Sequence, residues 1–327
     1  TMKQKLSAPA LSILLVVLCL SAEAQQPRKI SRLGYLTAGD PVSRHDRVEA
    51  LRQGLRELGY VEGKNITIGY RYAQGRTDRL PELAGELIRL NVDIIFAGGA
   101  PATEAAKNAT SMLPIVSTSD DPVGRGFVAG LPRPSGNITG VTNLTIELAG
   151  KRLELLKEVI PSLSRVVVLC SPRPGSDLGR RELEHAAQLS GLHLQIAEVK
   201  HRDDLEPAFA KLKRERAEAL ITLRNPLIAN DLAKPIVDLA DKSRLPGIYD
   251  DRRFTQIGGL MSYGVNLADL DRRAAIYIDK ILKGAKPADL PMEQATKLEL
   301  TINMRTAKAL AVKIPAHLLM EAEAVIE

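Results

Sequence analysis

Residues 92–124 constrain the fold more tightly than any other part of this chain. They hold two apolar runs, 92–97 and 113–117, each short enough for a strand buried on both faces. Between them, 101–111 reads as a helix, with Pro101 in its first turn and Ala, Glu and Lys inside. Parallel pairing of the two strands makes this a right-handed strand–helix–strand unit. In open parallel sheets ligands sit beyond the carboxyl ends of strands, which here are Gly98–Gly99–Ala100 and 117–121. The glycines let backbone approach a ligand, and the helix start offers N–H groups to an anion. Asp120 and Asp121 offer negative charge to a cation. The unit can hold a small molecule by both ends.

The rest of the chain repeats this alternation. Strands are expected at 30–37, 65–72 and 137–142, and helices at 45–58 and 80–90. Val48, Leu51, Leu55 and Leu58 share one face of the first helix, which Gly59 caps. After a helix at 148–159 the pattern starts afresh. Strands follow at 165–170, 193–199, 219–223 and 247–249, with helices at 179–190, 203–216 and 231–242. One more strand at 260–265 precedes a helix at 267–282. Two series of similar length predict two similar lobes, and 327 residues suffice for two cores.

Several function classes drop out. Aromatic residues make up 3% of the chain and Trp is absent, which argues against a stacking surface for nucleic acid. The His residues, at 45, 185, 193, 201 and 317, lack ligand spacing, so no metal is expected. Neither GxxxxGK[ST] nor GxGxxG occurs, nor a GxSxG elbow, and no cofactor is expected. Cys170, closing an apolar strand, reads as a buried small hydrophobe. Asp203 and Asp204 read as helix caps, and the basic run 211–216 as a solvated surface with Phe209 and Leu212 inward.

Residues 2–24 differ from everything after them. Lys3 and Lys5 precede an apolar run at 11–20, and Ala22-Glu23-Ala24 fits small-x-small cleavage. The run is short for a bilayer span, so a secretory signal cut after Ala24 is expected. The cut removes Cys19 and leaves Cys170 alone, without an internal disulfide in an oxidising compartment.

What remains is a ring of loops at strand ends. The first series supplies Thr37, Gly99, Ala100, Pro101, Thr103, Thr118 and Asp121. The second supplies Ser171, Arg224, Asn225, Tyr249, Asp250 and Arg252. Converging on one cleft, they offer backbone donors, carboxylates, guanidinium groups and an aromatic ring.

Several motifs carry a family resemblance. They are Leu51-Arg-Gln-Gly-Leu-Arg-Glu-Leu-Gly-Tyr-Val-Glu-Gly-Lys-Asn65, Asp121-Pro-Val-Gly124 and Gly136-Asn-Ile-Thr-Gly-Val141. Gly150-Lys-Arg-Leu-Glu-Leu-Leu-Lys157, Gly258-Gly-Leu-Met-Ser-Tyr-Gly264 and Asp279-Lys-Ile-Leu-Lys-Gly-Ala-Lys-Pro287 extend the set. From about residue 30 to the C-terminus the chain resembles ABC transporter substrate-binding proteins of the tryptophan/tyrosine-binding type. The resemblance implies the α/β type I periplasmic-binding-protein fold, with two hinged Rossmann-like lobes of parallel strands and a ligand cleft between them. By that pattern 30–142 plus 257–284 form one lobe, and 143–256 plus 285–327 the other. In relatives that bind amino acids, helix N-termini and hydroxyls hold the carboxylate and an acid holds the ammonium. Carried over by position, Ala100–Thr103 and Ser171 suit a carboxylate, Asp121 or Asp250 an ammonium, and Tyr249 flanks a ring.

Two departures add arginine. Ser171-Pro-Arg-Pro stands where relatives often have Asn-Pro, and Tyr249-Asp-Asp-Arg-Arg-Phe254 where they often have Tyr-x-x-Arg-Glu-Phe. Both point to an anionic or carboxylated ligand. The implied role is a monomeric periplasmic protein, not an enzyme, that delivers a small organic ligand to an ABC permease in the inner membrane. The alternatives are a ligand-sensing subunit of a membrane receptor, or an enzyme using Asp121 or Asp250 as acid or base. A DNA-binding repressor needs a helix-turn-helix where residues 2–24 stand.

Overall fold

The computed structural model describes residues 30–143, 148–172, 176–225 and 227–327. The expected signal and its cut after Ala24 lie outside the described residues, as do Arg173, Pro174 and Pro226. The first series forms β1 (Ser31–Thr37), α1 (His45–Glu57), β2 (Ile66–Tyr72) and α2 (Leu80–Arg89). It continues with β3 (Ile94–Gly98), α3 (Ala100–Ala109), β4 (Ile115–Ser117) and β5 (Ile138–Thr142). The second forms α4 (Leu148–Val159), β6 (Arg165–Cys170), α5 (Ser176–Ser190), β7 (His193–Glu198) and α6 (Leu205–Arg214). Then come β8 (Ala219–Thr222), α7 (Ala233–Lys242), β9 (Gly247–Tyr249), α8 (Arg253–Gln256) and β10 (Met261–Val265). Last are α9 (Leu267–Leu282), β11 (Glu293–Gln294), β12 (Leu298–Asn303), α10 (Met304–Leu310), α11 (Ala316–Glu321) and β13 (Ala324–Ile326).

Two sheets result, ordered β11-β5-β4-β3-β1-β2 and β13-β12-β10-β9-β8-β6-β7. Every described pair in the first is parallel. In the second only β10 and β12 run antiparallel, with Met261 opposite Ile302. The strands are apolar on both faces because each sheet is covered twice. In β6, Val166, Val168 and Cys170 enter one helix-backed layer while Val167 and Leu169 enter the other. In β1, Leu33 and Tyr35 face one layer and Leu36 the opposite one. Each fully buried aliphatic side chain contributes about 1.5–3 kcal/mol.

Sheet membership differs from the expected lobes in two places. β10 was expected with the first lobe, yet it pairs beside β9 in the second sheet. Residues 250–260, which include one helical turn, are long enough for a crossover back into the same sheet. Of residues 257–284 it is α9 that packs on the first lobe, where Leu270, Ala274 and Ile278 meet Leu51 and Leu55 of α1. β11 was expected in the second lobe, but it pairs with β5, Glu293 opposite Val141. The chain thus passes between the sheets after β5, after β10 and after β11. Among the described residues no helix is long and apolar enough to cross a membrane.

Candidate ligand-binding cleft

A cavity of about 450 Å³ opens where strand ends of the two sheets meet. The first sheet contributes Ala38 after β1, Gly98, Gly99 and Ala100 between β3 and α3, and Thr118 after β4. The second contributes Cys170 and Ser171 at the end of β6, and Leu223, Arg224 and Asn225 after β8. This is where a doubly wound sheet places a ligand.

The turn into α3 is built for close approach. Gly99 has φ +105, a conformation that L side chains rarely adopt. The first-turn N–H groups of α3 lack partners within the helix, and Pro101 contributes none. The Thr103 hydroxyl bonds Gly99 O at 3.0 Å and lies 2.8 Å from Ser117 Oγ, which ties α3 to the end of β4.

Five arginines reach the cavity wall: Arg44 and Arg47 by the start of α1, Arg125, Arg152 of α4, and Arg224. Arg47 grips both oxygens of Asp271 on α9, at 2.7 and 2.6 Å, and its Nη2 also donates to Thr118 Oγ1 at 3.3 Å. Arg224 donates to Asp250 at 2.8 Å, and Arg125 to Asp120 at 2.8 Å. Arg152 is wholly buried and donates to Tyr263 O at 3.1 Å; burial pulls its guanidinium down to about 10.

Arg44 differs from the others. Its residue is 6% exposed, and its buried Nε makes no hydrogen bond. Burial, and next the like charge of Arg47, pull its guanidinium down to about 9. Its side chain lies across Gly39, where an added Cβ would stand 2.4 Å from Nε. Glycine there makes room for the guanidinium.

Of the residues expected at the site, Gly99, Ala100, Pro101, Thr118, Ser171, Arg224 and Asn225 line the cavity. The others stand elsewhere. Thr37 is buried behind the wall, its hydroxyl accepting from Gly39 N at 3.3 Å, and Thr103 is buried in the α3–β4 contact described above. Asp121 sits at φ 38 with its carboxylate accepting from Gly124 N at 2.8 Å, so it closes a turn while Asp120 reaches the wall. Asp250 lies buried at the Arg224 guanidinium. Tyr249, expected to flank a ring, is 1% exposed and stacks on Phe254 in the core, centroids 4.5 Å apart. Arg252 lines a separate cavity of about 50 Å³, 4.0 Å from Glu299. There Arg253 holds Asp251 at 2.9 Å and donates to Ser43 O at 3.3 Å, a bond from the second lobe to the first.

Sequence reasoning missed Arg44, Arg47, Arg125, Arg152 and Asn143 on the wall. Arg44 had a usable signal, since it closely follows the β1 turn. Arg152 had none, because a charged residue within an amphipathic helix reads as solvent-facing. Apolar wall residues include Leu80, Pro81, Leu223 and Leu267, and no aromatic ring lines the cavity among the described residues. No group of three His, Cys, Asp or Glu among those residues is arranged to hold a metal.

A tyrosine-binding protein of Clostridioides difficile is 27% identical over 274 residues, covering 81% of this chain and 78% of the relative. A Streptococcus ABC domain solved in complex with L-Trp superposes with a TM-score of 0.84 at 25% identity, covering 90% of this chain and 99% of that one. A conserved domain protein of Vibrio cholerae gives a TM-score of 0.85 at 25% identity, covering 91% and 100%. Residues 40–326 match the family described as ABC transporter substrate binding protein, and the chain belongs to that family.

Proposed function

We propose that this solute-binding protein works in the periplasm as a monomer and delivers a small carboxylate, either an amino acid or another organic acid, to an ABC importer. The observation that carries this reading is the cavity at facing strand ends, with the buried Arg44 guanidinium on its wall. Residues 2–24 support export. The tyrosine-binding relative and the L-Trp complex support a carboxylate as the class of ligand. Gly99, Ala100, Thr118, Ser171, Arg224 and Asn225 would contact the solute, with Arg44 and Arg47 beside them. Closure of the two lobes on the solute would stabilise the closed population without any chemical turnover.

A thermal-shift screen of the chain lacking residues 1–24 against amino acids and organic acids tests this. At a hundredfold excess over Kd, binding stabilises the folded state by about 2.7 kcal/mol, a rise of several degrees. The hit should be recovered chemically unchanged. A panel without any shift, or a converted ligand, refutes the reading.

A further inference from the structure

The charge arrangement of the cleft narrows the solute further. An amino acid brings one carboxylate and one ammonium, so its site needs an available acid as well as an available cation. The acids of this cleft are already engaged. On the wall Asp120 is paired with Arg125; behind it Asp271 is held through both oxygens by Arg47 and Asp250 by Arg224, and at the smaller cavity Asp251 is held by Arg253. An ammonium approaching any of these four meets a carboxylate whose charge a guanidinium already offsets, and on the wall itself five arginines face two acids, Asp120 and Glu104. The remaining wall carboxylate, Glu104, is exposed on α3, where water screens its charge.

The cation side is the reverse. Arg44 is buried on the wall, its Nε unbonded, with Arg47 as a like-charged neighbour. Asp271 is close enough to act on it but is bonded by Arg47. A desolvated guanidinium with no anion bonded to it is costly, and an incoming carboxylate offsets that cost. Gly39 holds open the space in which this guanidinium lies.

We propose that the cleft selects an organic acid that carries no ammonium group, with its carboxylate seated on Arg44. The inference rests on the solute-binding reading above and specifies its ligand class. The absence of an aromatic ring from the described wall leaves the solute's apolar part against Leu80, Pro81, Leu223 and Leu267.

Isothermal calorimetry on pairs that differ only by the ammonium tests it: glutarate against L-glutamate, 3-(4-hydroxyphenyl)propanoate against L-tyrosine, and indole-3-propanoate against L-tryptophan. The acid of the best-binding pair should bind at least about tenfold tighter than its amino acid. Arg44→Met should weaken that acid by about a hundredfold, whereas Glu104→Gln should leave the preference within each pair in place. The pairs are compared on the unaltered protein, so the result stands even where Arg44→Met fails to fold. Equal or tighter binding of the amino acid overturns the inference and leaves the solute-binding role intact. Silence from every member of both series overturns the carboxylate reading itself, and the inference falls with it.

Discussion

Replacing Asp271 with alanine isolates the energetics of the buried ion pair behind the cleft. The Asp271 side chain is 0% exposed and both its oxygens accept from Arg47, at 2.7 and 2.6 Å. The substitution strands a buried guanidinium close to the like charge of Arg44. Breaking one side of such a pair costs about 3–5 kcal/mol. That is a large part of a total stability of about 5–15 kcal/mol. At roughly 2–4 °C per kcal/mol, the melting temperature should fall by about 6–20 °C. The double variant Arg47→Met with Asp271→Leu removes both charges while keeping bulk, and should recover to within about 1 kcal/mol of the parent or exceed it. Urea unfolding of the ligand-free protein, followed by circular dichroism, reads both. A loss below about 1 kcal/mol for Asp271→Ala, or a double variant less stable than the single one, refutes the reasoning.

Two further outcomes follow from neighbouring groups. Burial alone would raise the Asp251 carboxyl, but Arg253 and Arg224 outweigh it and hold the group well below the usual carboxylate range. A lowered folded pKa gives stability that is present above the unfolded value of about 3.9 and is lost as pH falls below it. Asp251→Asn should therefore flatten the acid limb of a stability–pH curve below about pH 5, and an unchanged limb contradicts the pairing. Gly39→Ala places a Cβ 2.4 Å from Arg44 Nε and should displace that guanidinium. It should weaken solute binding by about tenfold or more while the unfolding midpoint moves little, and calorimetry beside thermal melts separates the two effects.

The fold was legible wherever period and punctuation agreed. β6, β9, α4 and α9 stand at the boundaries that their apolar runs predict, and other expected elements shift by one to three residues at their ends. The region after α9 was opaque for physical reasons. β11 is two polar residues, and β12 joins the second sheet antiparallel, after the chain has left that sheet and returned. In the cleft, the strand-end rule named residues that line the cavity, such as Gly99, Thr118 and Ser171. It erred at Tyr249, because a residue at a strand's end can turn its ring into the core as easily as into the cleft. The arginines were hardest to read. Arg152 looks like any helical surface charge until the packing of α4 shows it wholly buried.

The packing of α9 on α1 also dictates when the protein can become itself. Leu51 and Leu55 find Leu270, Ala274 and Ile278 across about two-thirds of the chain's length. A nascent polypeptide emerging from the ribosome therefore cannot seal this core until residues near 282 have been synthesised. Long-range pairings of this kind make folding slow. A helix made late in synthesis thus acts as a timer on the closing of a core whose first residues are made early.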